Sequence, residues 1–325
     1  MTRWRHDGVL ITGGTGSLGR ALVPALLAAG VPRLAIYSRG EHAQVAMQGD
    51  LENDPRLRFF IGDVRDRERL RRAMAGVDVL IHAAALKHVT TCEYNPREAV
   101  LTNVVGAQNI VDAAIDAGVR CVLIVSTDKA VQPENFYGAT KMCAEKIFVQ
   151  GNAYAGDGPT RLAAVRYGNV VGSRGSVVEV WRKQRASGRI SITDPSATRF
   201  WISLEQAAGF VLSCADRMQG GEVFVPKLPA TTVADLARAV APDCVWDLSG
   251  LRAGEKLHEI LISANETGAV WDLGDRYAIL TPFATWAAWK NPPWEGAIRC
   301  SPGLRIASDI ADRVPEEVLE AWGRA

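Results

Sequence analysis

Long apolar runs are missing from this chain. No segment is apolar for long enough to cross a bilayer, and the opening MTRWRHDG leads into a strand-like segment without a signal-peptide core. Cysteine is sparse and scattered. The six residues Cys92, Cys121, Cys143, Cys214, Cys244 and Cys300 include no Cys-x-x-Cys pair, which argues against a zinc site or a disulfide framework. An excess of either charge is missing too: 37 Lys and Arg stand against 36 Asp and Glu, so no broad electrostatic footprint for nucleic acid is expected. Repeats of solenoid length and low-complexity tracts are also lacking. A soluble, cytoplasmic, metal-free protein is expected. Its 325 residues, 48% hydrophobic and 22% charged, suit one large or two moderate domains.

What is present is alternation. GVLITGG (8–14), RLAIYS (33–38), LRFFIGD (57–63), DVLIHAAA (78–85) and RCVLIVST (120–127) read as strands. Helix-like stretches begin near Ser17, Glu41, Asp66 and Glu93. Apolar strands alternating with helices predict an α/β fold, a Rossmann-like doubly wound parallel sheet covered on both faces. YGATKMCAEKIFVQGNAYA reads as a long helix and LAAVRYGNVVG as a following strand. Beyond residue 172 the alternation loosens. Residues 1–172 are therefore predicted to bind a dinucleotide, and 173–325 to form a smaller substrate-binding domain. The Trp- and Pro-rich stretch after about 265, including TWAAWKNPPWEG, is read as an irregular wrapping segment.

The first strand runs into Gly13, Gly16 and Gly19, with Thr15, Ser17 and Leu18 between them, and then into a helix. Glycines permit the tight turn and let backbone N–H groups approach a pyrophosphate at the helix N-terminus. The second strand ends in Ser38-Arg39, where NAD-preferring sites usually carry an acidic residue; a guanidinium suits a 2′-phosphate, so NADP is expected. Asp63, followed by Val64, ends the third strand at the adenine position. Ala83 and Ala84 follow the fourth, where small residues admit a nicotinamide and a plain structural turn would serve as well.

Tyr137 and Lys141 stand four apart, so a helix places them on one face, and a nearby cation favours an ionised phenol. Asp128-Lys129, an acid beside a base, closes the fifth strand, at the edge where open α/β sheets bind ligands. His82 is expected to pack at a strand end, His88 near the site, and His258 against a helix.

AAALKHV, STDKA, YGATK, RYGNVVGSRGSV, TRFWI, VPK and GEKLHE occur in order over residues 8–262. With the glycine loop they resemble the extended short-chain dehydrogenase/reductase superfamily. They resemble more closely its inverting UDP-N-acetylglucosamine 4,6-dehydratases, which begin pseudaminic acid biosynthesis. The resemblance implies transient oxidation of UDP-GlcNAc at carbon 4 by bound NADP, loss of water across carbons 5 and 6, and inversion at carbon 5. It implies Tyr137 as the carbon-4 base, with Lys141 on the nicotinamide ribose lowering the tyrosine pKa. Thr127 would bond the 4-oxygen, and Asp128 and Lys129 would manage the elimination. Lys87 falls in the hexose segment, while Asn169, Arg174, Thr193, Arg199, Lys227, Arg252 and Glu255 fall on motifs for the nucleotide sugar.

The chain departs from that pattern at Pro195, Ser196 and Ala197 and at Ala253, all on the sugar side. A retaining 4,6-dehydratase, a variant that keeps the carbon 5–6 alkene, and a 4-epimerase are the neighbouring chemistries; a non-catalytic NADP-binding regulator is the reading from another class. Retaining enzymes usually carry Asp-Glu where this chain has Asp128-Lys129. Met142, Ile147 and Phe148 on the helix after Tyr137 give the expectation of a homo-oligomer.

Overall fold

The computed structural model describes residue 4 and residues 7–266, 269–281 and 294–324. Its first half is built from β1 (Gly8–Thr12), α1 (Ser17–Ala28), β2 (Arg33–Ser38), α2 (Glu41–Asp50), β3 (Leu57–Ile61), α3 (Arg67–Ala73) and β4 (Val79–His82). After β4 come α4 (Val89–Tyr94), α5 (Pro96–Ala99), a π-helical turn (Val100–Val105) and α6 (Gly106–Ala117). Then follow β5 (Cys121–Thr127), a 3-10 turn (Asp128–Ala130), α7 (Phe136–Ala155) and β6 (Arg161–Tyr167). The six strands are parallel in the order β3-β2-β1-β4-β5-β6, so the order reverses between β1 and β4. That reversal opens a crevice at the carboxyl ends of the strands.

The alternation of side chains along each strand explains the two cores. In β1, Val9 and Ile11 join Leu22 and Leu26 of α1 on one face, whereas Leu10 joins Ile110 and Val111 of α6 on the other. A strand apolar at every position is what a sheet between two helical layers requires.

The second half continues through β7 (Asn169–Val170), α8 (Val177–Arg185), β8 (Arg189–Ile192), β9 (Thr198–Ile202), α9 (Leu204–Arg217) and β10 (Glu222–Pro226). It goes on with β11 (Ala230–Thr232), α10 (Val233–Val240), β12 (Val245–Leu248), β13 (Ile260–Ile262), β14 (Ala269–Asp272) and β15 (Arg276–Leu280). Last are β16 (Ile298–Arg299), β17 (Ile306–Ala307) and α11 (Glu316–Arg324). This half divides between two cores. β10 extends the main sheet beside β6, and β15, β14 and β16 extend it antiparallel to ten strands. α8, β8, β9, α10 and α11 instead enclose a small separate core with Trp181, Ile190, Trp201, Leu236 and Leu319. The chain thus crosses between the two cores after residue 172.

Three expectations change. LAAVRYGNVVG is not one strand: at Gly168, where a Cβ would lie 2.5 Å from Phe200 Cβ, the chain leaves the main sheet, and β7 pairs with β9. The described part of the tail after 265 is regular, with three strands on the main sheet and a terminal helix. Most of TWAAWKNPPWEG lies outside the described residues; Trp294 meets the ring of Phe224 edge-on at 5.7 Å. On α7, Phe148 is buried and Ile147 packs against the core, leaving Met142, 36% exposed, as the one outward residue of the three.

Candidate active site

The crevice is one cavity of about 1420 Å³ running from the glycine loop, past β5 and α7, to β9 and the loop before β13. At its first end Gly13 has φ +70 and its N–H donates to Tyr37 O at 2.8 Å; a Cβ there would lie 2.8 Å from the Ala84 backbone, so only glycine fits. α1 begins after Gly16 with no side-chain cap and no acidic residue in its first turn, leaving its N-terminal N–H groups facing the cavity. These features fit the pyrophosphate of a nicotinamide dinucleotide. Thr15, Ser17, Leu18 and Gly19 line the same wall.

At the adenosine position Ser38, Arg39, Asp63 and Val64 line the cavity. The buried amide of Gln44 donates to Ser38 Oγ at 3.0 Å and to the Ser38 and Phe60 carbonyls, which fixes that hydroxyl and leaves its proton to donate outward. Arg39 is exposed. Asp63 is held by Arg65 at 2.6 Å; burial raises its pKa, but the Arg65 bonds outweigh burial and lower it.

The opening after β4 carries Ala83, Ala84, Lys87 and His88. Asn103 of the π-helical turn clamps it, bonding the Leu86 N–H at 2.8 Å, the Leu86 carbonyl at 3.0 Å and Thr140 of α7 at 3.0 Å. A π-turn placed to tie a site loop to a site helix is a recurrent use of that irregularity. Lys87 Nζ donates to Arg174 O at 2.8 Å, and the Arg174 guanidinium reaches Thr15 O. Arg174, expected on the sugar, therefore joins the substrate side to the glycine loop.

The catalytic end is set by the tip of β5 and the start of α7. Asn135 caps α7, accepting from Gly138 N–H at 2.8 Å, and this brings Tyr137 and Lys141 to the cavity wall below Thr127. Burial drives the Tyr137 phenol up to about 12, although the Lys129 charge and the Thr127 hydroxyl pull against it. The cation acting on the phenol is Lys129, where the sequence pointed to Lys141. Lys141 is itself pulled down to about 8 by burial, partly offset by Glu145 one turn further on. His82 is a packing residue as expected. It bonds Thr12 Oγ1 at 2.6 Å, stacks on Phe148, and burial lowers it to about 3.

Of the Asp128-Lys129 pair, only Lys129 lines the cavity; Asp128 lies behind it, fully buried. The ammonium donates to Asp128 Oδ1 at 3.1 Å and to Asn169 Oδ1 at 3.2 Å, and pairs with Glu259 Oε1 at 3.1 Å. Burial lowers its pKa, but the two carboxylates overcome burial and the net direction is up. A lysine that acts as a base toward carbon 5 needs a lowered pKa. Anionic neighbours produce the reverse, so Lys129 is an ammonium at rest. Burial raises Asp128, with Glu259 adding to it against Lys129. Asp128 Oδ2 and Glu259 Oε2 are both buried without a partner.

Around the far end Thr193, Arg199, Arg252 and Glu255 line the cavity together. Thr193 donates to Glu255 Oε1 at 3.2 Å, and Arg199 bonds the same oxygen at 3.0 Å as well as the Thr198 and Leu257 carbonyls. Lys227 is not brought to the cavity. It pairs with Asp272 at 2.9 Å and lies over the Tyr277 ring, because β10 ends on the main sheet away from the crevice. Ala253 and Ala197, two of the departures, occupy a cavity-wall position and a buried one. Sequence reasoning missed Glu259, Lys256 and the two tryptophans of the wall, Trp181 and Trp201. Glu259 was within sight as the last letter of GEKLHE, since a buried lysine calls for a second anion.

A doubly wound sheet with a glycine loop at its switch point and Tyr137 and Lys141 beside it is the build of an extended short-chain dehydrogenase/reductase. The polysaccharide biosynthesis protein family matches residues 9–281, and the chain belongs to that family. It is 51% identical over 279 residues to the UDP-N-acetylglucosamine 4,6-dehydratase (inverting) of Campylobacter jejuni subsp. jejuni serotype O:2, covering 85% of this chain and 83% of the relative. The UDP-glucose 4-epimerase of Rickettsia conorii is 42% identical, covering 83% of this chain and 82% of its own. Among solved structures, Pen from Bacillus thuringiensis is 34% identical with a TM-score of 0.90, over 98% of this chain and 97% of that one.

Proposed function

We propose that this chain is a C5-inverting UDP-N-acetylglucosamine 4,6-dehydratase that uses NADP and makes UDP-2-acetamido-2,6-dideoxy-beta-L-arabino-hex-4-ulose. The observation that carries this is Lys129, backed by Asp128, on the same cavity wall as Tyr137. A 4-epimerase needs Tyr137 and Lys141 but has no proton to move at carbons 5 and 6. The name of the C. jejuni relative supports the same choice. The cavity exceeds the roughly 300–1,000 Å³ of an ordinary small-ligand site, as room for a dinucleotide and a nucleotide sugar requires.

When bound, an oxidised nicotinamide would supply a ring cation and a hydride acceptor able to return the hydride at carbon 6. Tyr137 takes the 4-hydroxyl proton, with Thr127 bonding the 4-oxygen and Lys141 on the nicotinamide ribose. The ketone then acidifies the carbon-5 proton. Lys129 reaches the sugar and Asp128 does not, so Asp128 acts as its proton partner. Closing the sugar over the site excludes water and favours passage of a proton from the ammonium to Asp128. The free amine takes the proton from carbon 5 and delivers it to the departing 6-hydroxyl, leaving an alkene and water. With the hydride back at carbon 6, carbon 5 takes a solvent-derived proton on the face opposite Lys129, which inverts it, and the Tyr137 proton passes to solvent. Ser38 and Arg39 receive the 2′-phosphate; Lys87, Asn169 and Arg252 contact the sugar nucleotide, and Arg174 ties that wall to the glycine loop. Thr193, Arg199 and Glu255 act as one bonded group beside it. Met142, exposed on α7, supports a homo-oligomer, which light scattering at micromolar concentration decides.

Incubation with UDP-GlcNAc in D2O without added cofactor tests the function. The expected product carries deuterium at carbon 5 and the L-arabino configuration by NMR. A D-xylo product, or a sugar altered only at carbon 4, would overturn it.

A further inference from the structure

Glu259 has no role in the chemistry above, yet it is 2% exposed, lines the cavity and touches the ammonium on which the elimination turns. Its position is fixed from behind. Its N–H donates to Ser308 Oγ at 2.8 Å and its carbonyl accepts from Ser308 N–H at 2.9 Å, so the backbone cannot drift from Lys129. One carboxylate oxygen meets Lys129 and lies 3.9 Å from Arg199 Nε; the other has no partner. A solvated surface pair would not leave a buried oxygen unmatched, because each such atom costs about 1–3 kcal/mol. Buried polar groups left incomplete in this way are concentrated at working sites.

We propose that Glu259 is a positioning residue for Lys129: its carboxylate, together with Asp128 and Asn169, points the ammonium at the sugar and makes the derived amine a strong base toward carbon 5. The inference rests on the dehydratase reading. The charged and titratable groups around the pair are Asp128 on the 3-10 turn, Tyr137 on α7, Arg199 on β9, and Lys256 and Glu259 before β13. Burial raises Glu259, but Lys129 and Arg199 outweigh burial and lower it, whereas burial raises Asp128. An anion held at 3.1 Å raises the basicity of the amine. Abstraction of a weakly acidic carbon-bound proton gains from a stronger base along a Brønsted line.

The sign follows. A raised lysine pKa keeps the pair protonated to higher pH, and the base form that attacks carbon 5 grows in as pH rises through it. Removing the Glu259 charge lowers that pKa. The readout is loss of the carbon-5 label of UDP-GlcNAc deuterated at that carbon to water, followed by NMR across pH with cofactor-loaded protein. Glu259→Gln is expected to reach its plateau at least about one pH unit lower than the parent. Its plateau should be roughly threefold lower, with KM unchanged. Glu259→Asp, which keeps the charge, should return the profile to the parent pH and serves as the second variant should Gln fail to fold. Superimposable profiles for parent and Gln variant, a shift to higher pH, or an Asp profile that moves as a neutral residue's would, overturn the role of Glu259. A parent enzyme that releases no carbon-5 label from the substrate overturns the dehydratase reading instead.

Discussion

Two buried charged groups border α7, and they are finished differently. Arg166 of β6 uses its whole guanidinium. It bonds Glu145 at 2.6 and 3.1 Å, Glu266 at 2.8 and 3.0 Å, and the Leu261 carbonyl at 2.8 Å. Lys129 faces Asp128 and Glu259 with a point charge, and each carboxylate keeps an oxygen without a partner. The planar fork of arginine locks two carboxylates at once, whereas an ammonium can turn and can give up its proton. Arg166 is raised further by Glu145 and Glu266 against burial and is never a proton donor; it ties β6, α7 and the chain after β13 into one block. The same residue types make a strut in one place and a proton relay in the other, and completeness of hydrogen bonding is what separates them.

The largest expected effect breaks the relay. Lys129→Ala should lower dehydration by about 10³- to 10⁴-fold, the range of a lost general acid–base group, while UDP-GlcNAc still binds. Tyr137→Phe should fail one step earlier. In single turnover, Lys129→Ala should accumulate reduced cofactor absorbance with UDP-GlcNAc, and Tyr137→Phe should show none. Equal failure of both at the first oxidation would remove Lys129 from the elimination.

Breaking the strut should instead cost stability. Arg166→Met leaves buried Glu145 and half-buried Glu266 without their cation, a loss of about 3–5 kcal/mol by denaturant unfolding, and a larger one than Lys129→Ala produces. Among the molecules that remain folded, turnover should stay within about twofold of the parent, measured against cofactor-loaded active sites. A stability change under about 1 kcal/mol would show that the Arg166 group is no strut.

The two groups also mark where the sequence could and could not be read. Alternation of apolar strands and helices made β1 to β6 legible, because local pattern and tertiary role coincide in a buried parallel sheet. The glycine loop and Tyr137 and Lys141 were legible for a like reason: close spacing on one element dictates their geometry. The pairing of the second half was not, since β10, β14 and β15 join a sheet begun some 200 residues earlier, and nothing local records it. Glu259 and Arg166 escaped for the same cause. Asp128 and Glu259 meet at one ammonium across more than a hundred residues, and spacing says nothing about charges that only the fold brings together. Lys227 shows the opposite error: its motif was visible, but the end of β10 carries it to Asp272 and away from the crevice.

The smallest effect concerns the cofactor end, where neither a strut nor a relay is present and a single exposed charge faces solvent. Ser38 is oriented by Gln44, while Arg39 is exposed at the cavity edge beside Asp63, which Arg65 already neutralises. A 2′-phosphate placed there meets one free guanidinium and one hydroxyl proton, whereas a 2′-hydroxyl meets no acidic acceptor left unpaired. Preference for NADP over NAD is therefore expected, and because the contact is exposed to screening it should be modest, about tenfold to a hundredfold in Kd. Arg39→Asp supplies the missing acceptor and a repulsive charge together, so it should reverse the preference while raising the Kd for NAD by less than about threefold. Raising the salt concentration should narrow the preference of both, since it screens the Arg39 attraction in the parent and the repulsion of the 2′-phosphate in the variant. Calorimetric titration of both dinucleotides into cofactor-stripped protein at two ionic strengths reads all four numbers, and equal affinities in the parent would show that Arg39 does not read the 2′ position.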